Sequence, residues 1–388
     1  MVKEKYILNT REMQEKAEKN ALAPYALFCC DSKGRDHPEP PHKFRTCFQR
    51  DRERIIHSAA FRRLEAKTQV FFAVSQDYYR TRLTHTIEVA QIARSLSRAL
   101  RLNEDLAEAV SLAHDLGHPP YGHWGQTVLN ELMAEHGGFE HNRQSLRIVE
   151  YLEHPYPAFP GLNLTYETRL CLALHETIFD HSEPDLRYGK GLAPLEGQIA
   201  DLADSIAYNS HDLDDSLAYG LIQEQDLIGL ELYQTLKKQV EDQYPLAHRF
   251  ARQLRCAKAL IDFLILDVLE ETARRLARFS PRDAQAVCQL PAKIVALSPS
   301  CREKLDKLQD FLAERVYQHP RLLRHQRQVR RQLEFLFDAY SKKPRLLPER
   351  YQARLDEQGQ YRVVCDYLAG MTDRYCNKLY RKYIRGGG

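Results

Sequence analysis

Apolar residues in this chain recur with a period near 3.6 and almost never with a period of two. The pattern therefore predicts helix after helix and no sheet. From Thr81 to Leu100, the residues His85, Val89, Ile92 and Leu96 fall at i, i+4, i+7 and i+11. That is one stripe of a helix, and it points a histidine inward among aliphatic neighbours. A second helix is predicted to start after Asn103, a good N-cap, with Glu104 and Asp105 in its first turn. Ala107, Val110 and His114 share its inner face. Gly117, Pro119 and Pro120 end it, which places His114 and Asp115 in its last turn. A third helix carries Asp201, Asp204, Tyr208, His211, Asp212 and Asp215. Asp204, Tyr208 and Asp212 line up one turn apart as an acidic stripe. Leu202, Ile206 and Leu213 are among the apolar residues elsewhere on the helix.

Gly and Pro gather between these periodic segments and suggest an organisation. Residues 1–60 read as an N-terminal arm with a proline-rich break, HPEPP, at 37–41. Residues 61–216 form the core that holds all the candidate ligands, interrupted by loops at 118–123 (HPPYGH) and 154–161 (HPYPAFPG). Residues 217–388 read as a C-terminal region of long amphipathic helices packed on that core, punctuated by KKPRLLP at 342–348. No internal repeat or low-complexity tract is visible.

With 388 residues, 43% of them hydrophobic, the chain can bury a substantial core. A net charge of +3 by itself indicates neither a nucleic-acid nor a membrane partner. The longest apolar run, ALIDFLILDVL at 259–269, contains two aspartates and is too short to span a bilayer. The nine cysteines are scattered, with no CxxC and only Cys29 and Cys30 adjacent. Such thiols fit a reducing compartment. The charged N-terminus lacks the apolar run of a secretory signal, so a cytoplasmic protein with no membrane partner is expected.

Each candidate ligand has a plain structural reading when taken singly. His85 can be a satisfied core histidine. His114 can be a helix-end histidine beside a solvated Asp115, and Asp204 can belong to a solvated face. Their company argues for a metal. Adjacent helical residues lie about 100° apart, so one ion near the helix end is within reach of both His114 and Asp115. Two imidazoles and two carboxylates with open positions suit Mg²⁺, Mn²⁺ or Fe²⁺ better than a closed, cysteine-rich zinc site. A cation there would polarise a phosphoryl group and lower the pKa of bound water.

The H…HD…D series resembles the HD-domain metal phosphohydrolases. Longer stretches are similar to one branch, the deoxyguanosinetriphosphate triphosphohydrolases and their bacterial relatives. They are RERIIHSAAFRRLEAKTQVF (52–71), RTRLTHTIEVAQIAR (80–94), AHDLGHPPYGHWGQ (113–126), GGFEHNRQSLRI (137–148), GLNLT (161–165), LEGQIADLADSIAYNSHDLDD (195–215) and DYLAGMTDRY (366–375). The resemblance implies an all-α fold, an HD-domain helical core with a C-terminal helical extension. It also implies hydrolysis of a deoxynucleoside triphosphate, dGTP or several dNTPs, to deoxynucleoside and intact triphosphate. On this reading His85, His114, Asp115 and Asp204 hold the metal. Arg82, His118 and His141 face the phosphates, and His123 is the leading candidate for proton transfer. Tyr208 and Asp212 touch the sugar or phosphate, and Gln69 reads base or sugar. Homo-oligomerisation, up to a hexamer, is implied as well, and the GMTDRY segment is expected to fold back toward the pocket.

One position departs from the family. Gln126 stands three residues after His123 where a carboxylate is usual, so the resemblance predicts slower turnover or an acid/base drawn from elsewhere, such as His141. Arg45, Arg50, Arg52, Arg54, Arg62, Arg63 and Lys67 offer cations to phosphate, surface charge or subunit contacts. Two alternatives stay open. One is an HD phosphohydrolase for another nucleotide. The other is a regulator with weak turnover that binds dNTP, or single-stranded DNA through Arg324, Arg327 and Arg331 on a helix face opposite Leu322, Val329, Leu333 and Leu336.

Overall fold

The computed structural model describes residues 8–69, 80–176, 185–189 and 191–385. These residues are all-α; the β pairing among them is confined to two isolated bridges, Arg35–Thr165 and Thr68–Thr81. The helices that matter for the site are α1 (Cys47–Ile56), α2 (Arg82–Ala99), α3 (Glu104–Ala113), α4 (Gly122–Leu132), α5 (His141–Arg147) and α6 (Leu195–Ala218). They are joined by α7 (Arg249–Phe279), α8 (Pro299–Leu312), α9 (Pro320–Lys342), α10 (Gln360–Ala369) and α11 (Asp373–Arg385). No helix is long and apolar enough to cross a membrane among the described residues. All nine cysteines are free thiols.

Helix α2 starts where the pattern placed it. Thr81 caps it by accepting from Thr84 N–H, and the Thr84 side chain returns the contact to the Thr81 N–H. Its stripe is buried: Val89, Ile92 and Leu96 pack with Ile199, Ala203 and Ile206 of α6. Each fully buried aliphatic side chain contributes about 1.5–3 kcal/mol, which offsets the cost of placing Arg82 and His85 in the same interior. Asn103 caps α3 by accepting from the Leu106 N–H. The core joining α2 and α6 continues into α7 and α8 through Leu260, Leu264, Leu305 and Leu308. A second core packs α1 and α3, with Phe48, Ile55, Leu106 and Val110, against Leu146 and Leu164. A third binds Val128 and Leu129 of α4 to Leu333, Leu336, Val364 and Leu368 of α9 and α10.

Two expectations about boundaries need correction. The second helix ends at Ala113, and His114–Gly117 form a 3₁₀ turn. The cause is α5, which crosses so closely that a Cβ on Gly117 would overlap His141 O and Ser145 N. The Ser145 hydroxyl donates to His114 O at 2.5 Å and accepts from the Gly117 N–H at 2.8 Å. It thus takes the place of helical partners. A 3₁₀ turn separates successive side chains by about 120°, so His114 and Asp115 diverge more than an α-helix would allow.

The loop at 118–123 is also shorter than expected. Tyr121 takes a left-handed φ of 66°, and Gly122 and His123 already belong to α4. Gly122 has a φ of 59°, and a Cβ there would meet Arg82 Nη2 at 2.8 Å and Gln69 O at 3.1 Å.

Candidate metal centre

Three helical segments converge on the Asp204 carboxylate. His85 Nε2 of α2 lies 2.9 Å from Asp204 Oδ1. His114 Nε2 lies 3.6 Å from the same oxygen. His114 Nδ1 donates to Ser111 O at 2.6 Å, so Nε2 is the nitrogen that would present a lone pair once the ring is neutral. That Nε2 is buried with no hydrogen-bond partner. Burial opposes a charge on this ring, but Asp115 and Asp204 outweigh it and raise His114 to about 9. Burial likewise opposes ionisation of Asp204, and His114 and His85 nevertheless hold it well below the ordinary carboxylate range. One donor atom from each of His85, His114 and Asp204 falls within 4.8 Å of the others. Two imidazole nitrogens and a carboxylate oxygen at this spacing fit a divalent cation, which would displace the proton from His114 Nε2.

Asp115, the fourth expected ligand, is engaged differently. Arg82 Nη1 donates to both its oxygens, at 3.0 and 2.9 Å. His118 Nδ1 lies 2.9 Å from Oδ1, and His114 Nε2 lies 3.6 Å from that oxygen. Burial works against its ionisation, but Arg82, His118 and His114 keep it ionised. Arg82, expected on phosphate, is here a bidentate partner of Asp115.

Next to Asp115 three histidines cluster. The rings of His118 and His141 are 3.8 Å apart, and His123 is 5.2 Å from His118. Burial, Arg82 and His141 push His118 well below its usual range, so it is neutral. Gln126 Oε1 accepts from the backbone N–H of His141 at 3.0 Å and lies 2.8 Å from its Nδ1. Glu140 Oε1 is 3.1 Å from the same Nδ1. A carboxylate therefore sits beside His141 even with glutamine at 126.

The acidic stripe of α6 leads away from the metal ligands. Tyr208, whose ring is 6.4 Å from His123, donates its hydroxyl to Tyr317 at 2.8 Å, and Tyr317 donates to Asp212. Burial raises Asp212 to about 7 against the opposing hydroxyl contacts. Gln69 is buried and its Oε1 has no hydrogen-bond partner, while its carbonyl accepts from Arg82 Nη2 at 3.4 Å.

Most of the arginines at 45–63 do not reach this pocket. Arg45 pairs with Glu53, Arg50 and Arg54 with Glu39, and Arg52 with Asp105 and Glu108. Lys67 does turn inward, donating to His118 O at 2.5 Å and Ala369 O at 3.1 Å. Burial, Arg63 and Arg82 lower it to about 7. Asp373 completes this brace. It accepts from Thr68 N–H at 2.9 Å and from Tyr121 N–H at 2.8 Å. The GMTDRY segment thus folds back onto the histidine loop, as expected.

Sequence reasoning assigned no role to Tyr317, and it mentioned His211 only as one member of a stripe. Nothing local marks Tyr317 in RVYQH. For His211 the signal was its position, one residue before Asp212 on the ligand-bearing helix.

An all-α fold whose candidate ligand set is drawn from α2, the HD turn and α6 fits an HD-domain phosphohydrolase. Residues 82–209 match the HD domain, and residues 295–382 match a phosphohydrolase-associated domain. The chain is 46% identical over 368 residues to a deoxyguanosinetriphosphate triphosphohydrolase-like protein of Ralstonia pickettii, covering 93% of this chain and 94% of the relative. It is 44% identical to one from Geobacter sulfurreducens, covering 95% and 97%. It is 41% identical to one from Leptospira interrogans, covering 94% and 96%. The chain belongs to this deoxyguanosinetriphosphate triphosphohydrolase-like family.

Proposed function

We infer that the protein hydrolyses deoxynucleoside triphosphates to deoxynucleoside and intact triphosphate, using a divalent cation held by His85, His114 and Asp204 with Asp115 beside them. The observation that carries this reading is the adjacency of that donor set to the histidines at 118, 123 and 141 and to the Tyr208–Tyr317–Asp212 chain. The cation, Mg²⁺ or Mn²⁺ with Fe²⁺ also suited to the donors, would neutralise phosphate oxygens and lower the pKa of water. His118 and His141 would face the phosphate oxygens. His123, on the first turn of α4, is placed to deliver a proton to the departing 5′ oxygen. Asp212 would accept the 3′-OH while Tyr208 packs on C2′ and excludes a 2′-OH. The names of the relatives point to a guanine nucleotide, and cleavage between the 5′ oxygen and the α-phosphorus follows from releasing the triphosphate whole.

The test is incubation with each dNTP, singly and in pairs, under Mg²⁺ or Mn²⁺, with chromatography of the products. Intact triphosphate supports the reading, while orthophosphate or pyrophosphate sinks it. Paired incubations also report whether one dNTP activates turnover of another.

A secondary role in binding single-stranded nucleic acid has one supporting observation. Arg324, Arg327 and Arg331 are exposed on α9, opposite the buried Leu322, Val329, Leu333 and Leu336. Oligonucleotide binding that weakens steeply with salt is expected of it; salt-insensitive or absent binding removes it.

A further inference from the structure

His211 lies on α6 between Tyr208 and Asp212, inside the acidic stripe, yet it faces α2 rather than the sugar side. Its Nδ1 is 3.3 Å from Nδ1 of His85, with the two rings nearly perpendicular at 78°. On its other side, Nε2 is 2.6 Å from Glu88 Oε2. The same carboxylate oxygen accepts from Arg80 Nη1 at 2.6 Å. His211 is 4% exposed, whereas the Glu88 side chain is about half exposed. A continuous line of contacts therefore runs from the solvent edge, through Glu88 and His211, to the far nitrogen of a candidate metal ligand.

With a cation taking the Nε2 lone pair of His85, the direction of every proton in this line follows from its outer end. An ionised carboxylate only accepts, so His211 must carry its proton on Nε2 and donate it to Glu88. A neutral imidazole has one donor and one acceptor nitrogen, so Nδ1 of His211 is an acceptor. His85 then has to place its own proton on Nδ1 and donate it to His211. The Nε2 of His85, 2.9 Å from Asp204 Oδ1, is then left as a lone pair for that cation. His114 is set the same way by a different acceptor, Ser111 O. A cation between these groups would take both imidazole lone pairs and the Asp204 oxygen together, displacing the proton that otherwise pairs His114 with Asp204.

We propose that His211 and Glu88 are positioning residues that lock His85 in its metal-binding tautomer and orient its ring, through the relay Glu88–His211–His85. The inference rests on the metal reading of the site proposed above. Outer partners of this kind typically change metal affinity by about 10–100-fold when removed. The hydrogen-bonded acceptor also raises the basicity of the ligating nitrogen.

The experiment is Mn²⁺ titration of the full-length protein, following loss of the free-ion electron paramagnetic resonance signal, with ¹⁵N spectra of the histidine rings recorded in saturating diamagnetic Mg²⁺. His211→Leu removes the acceptor; it is expected to weaken Mn²⁺ binding by about 10–100-fold. His211→Asn keeps an oxygen acceptor near the Nδ1 position; it is expected to restore affinity to within about threefold of wild type, a rescue on the scale of one retained hydrogen bond. Glu88→Gln sits at the half-exposed end, where folding tolerates substitution, and is expected to bind several-fold more weakly and to show a mixed His85 tautomer. Unchanged Mn²⁺ affinity in Glu88→Gln and in whichever His211 variant folds overturns the inference while leaving the metal site standing. Absence of saturable binding by the wild-type protein overturns the metal reading itself, and this inference with it.

Discussion

Gln126 and His141 are joined twice, through the backbone N–H of His141 at 3.0 Å and through its ring Nδ1 at 2.8 Å, both to Gln126 Oε1. The side chain that interrupts the family pattern is therefore an orienting acceptor for a neighbouring histidine. Replacement by glutamate keeps both contacts and makes them charge-assisted, which strengthens a hydrogen bond by about 1 kcal/mol or more. Gln126→Glu is expected to raise kcat about five- to tenfold, measured as triphosphate release at saturating dNTP. Gln126→Ala is expected to lower it. An unchanged kcat in both would separate this position from proton transfer.

The metal site predicts a stability response that needs no substrate. Binding to the native state alone stabilises by about 2.7 kcal/mol at a hundredfold excess over Kd. Mn²⁺ is therefore expected to raise the melting temperature and a chelator to reverse the effect. In His114→Ala, which removes the buried unpartnered Nε2, the shift should disappear. A full shift in that variant would place the ion elsewhere.

Asp212 gives a pH dependence whose sign is fixed. Burial raises its folded-state value to about 7, against about 3.9 in an unfolded chain. Between those values the native protein holds a proton that the unfolded chain has released. The stability this proton confers is present in acid and is lost as pH rises through 7. Asp212→Asn should therefore melt higher than wild type at pH 8, with the gain vanishing near pH 4. A gain of equal size at both pH values would contradict the assignment to Asp212.

Asp373 holds Thr68 and Tyr121 from the far end of the chain. Asp373→Ala orphans two buried backbone donors at about 1–3 kcal/mol each and frees the turn that starts α4. Asp373→Asn retains an acceptor and should lose less. For both variants kcat is expected to fall more than KM rises, because the turn presents His118 and, on the first turn of α4, His123, while the proposed sugar contacts lie on α6. A change confined to KM would argue against the brace.

Legibility in the sequence tracked the range of each interaction. The stripe His85, Val89, Ile92, Leu96 is buried as its period required, and Thr81 and Asn103 cap the helices they precede. Those features are set by neighbours within a turn or two. The end of α3 at Ala113 was not legible, because Ser145 and the close approach of α5 to Gly117 decide it. Tyr317 meets Asp212 across 105 positions of sequence, and no periodicity reports such a contact. The resemblance supplied the ligand set, but it did not reveal that Arg82 is paired with Asp115 or that Glu140 stands beside His141.

The brace between Thr68 and Asp373 spans 305 positions, and it has a consequence during synthesis. At about 5–20 residues per second, the ribosome needs roughly 15–60 s to travel from one partner to the other. From Asp204 onward the emerging chain contains every candidate metal ligand but cannot anchor the turn that presents His118 and His123. The nascent protein is thus expected to stay hydrolytically silent until translation is nearly finished. A message truncated shortly before codon 373 should yield a product that binds Mn²⁺ and leaves the cell's dNTP pool untouched.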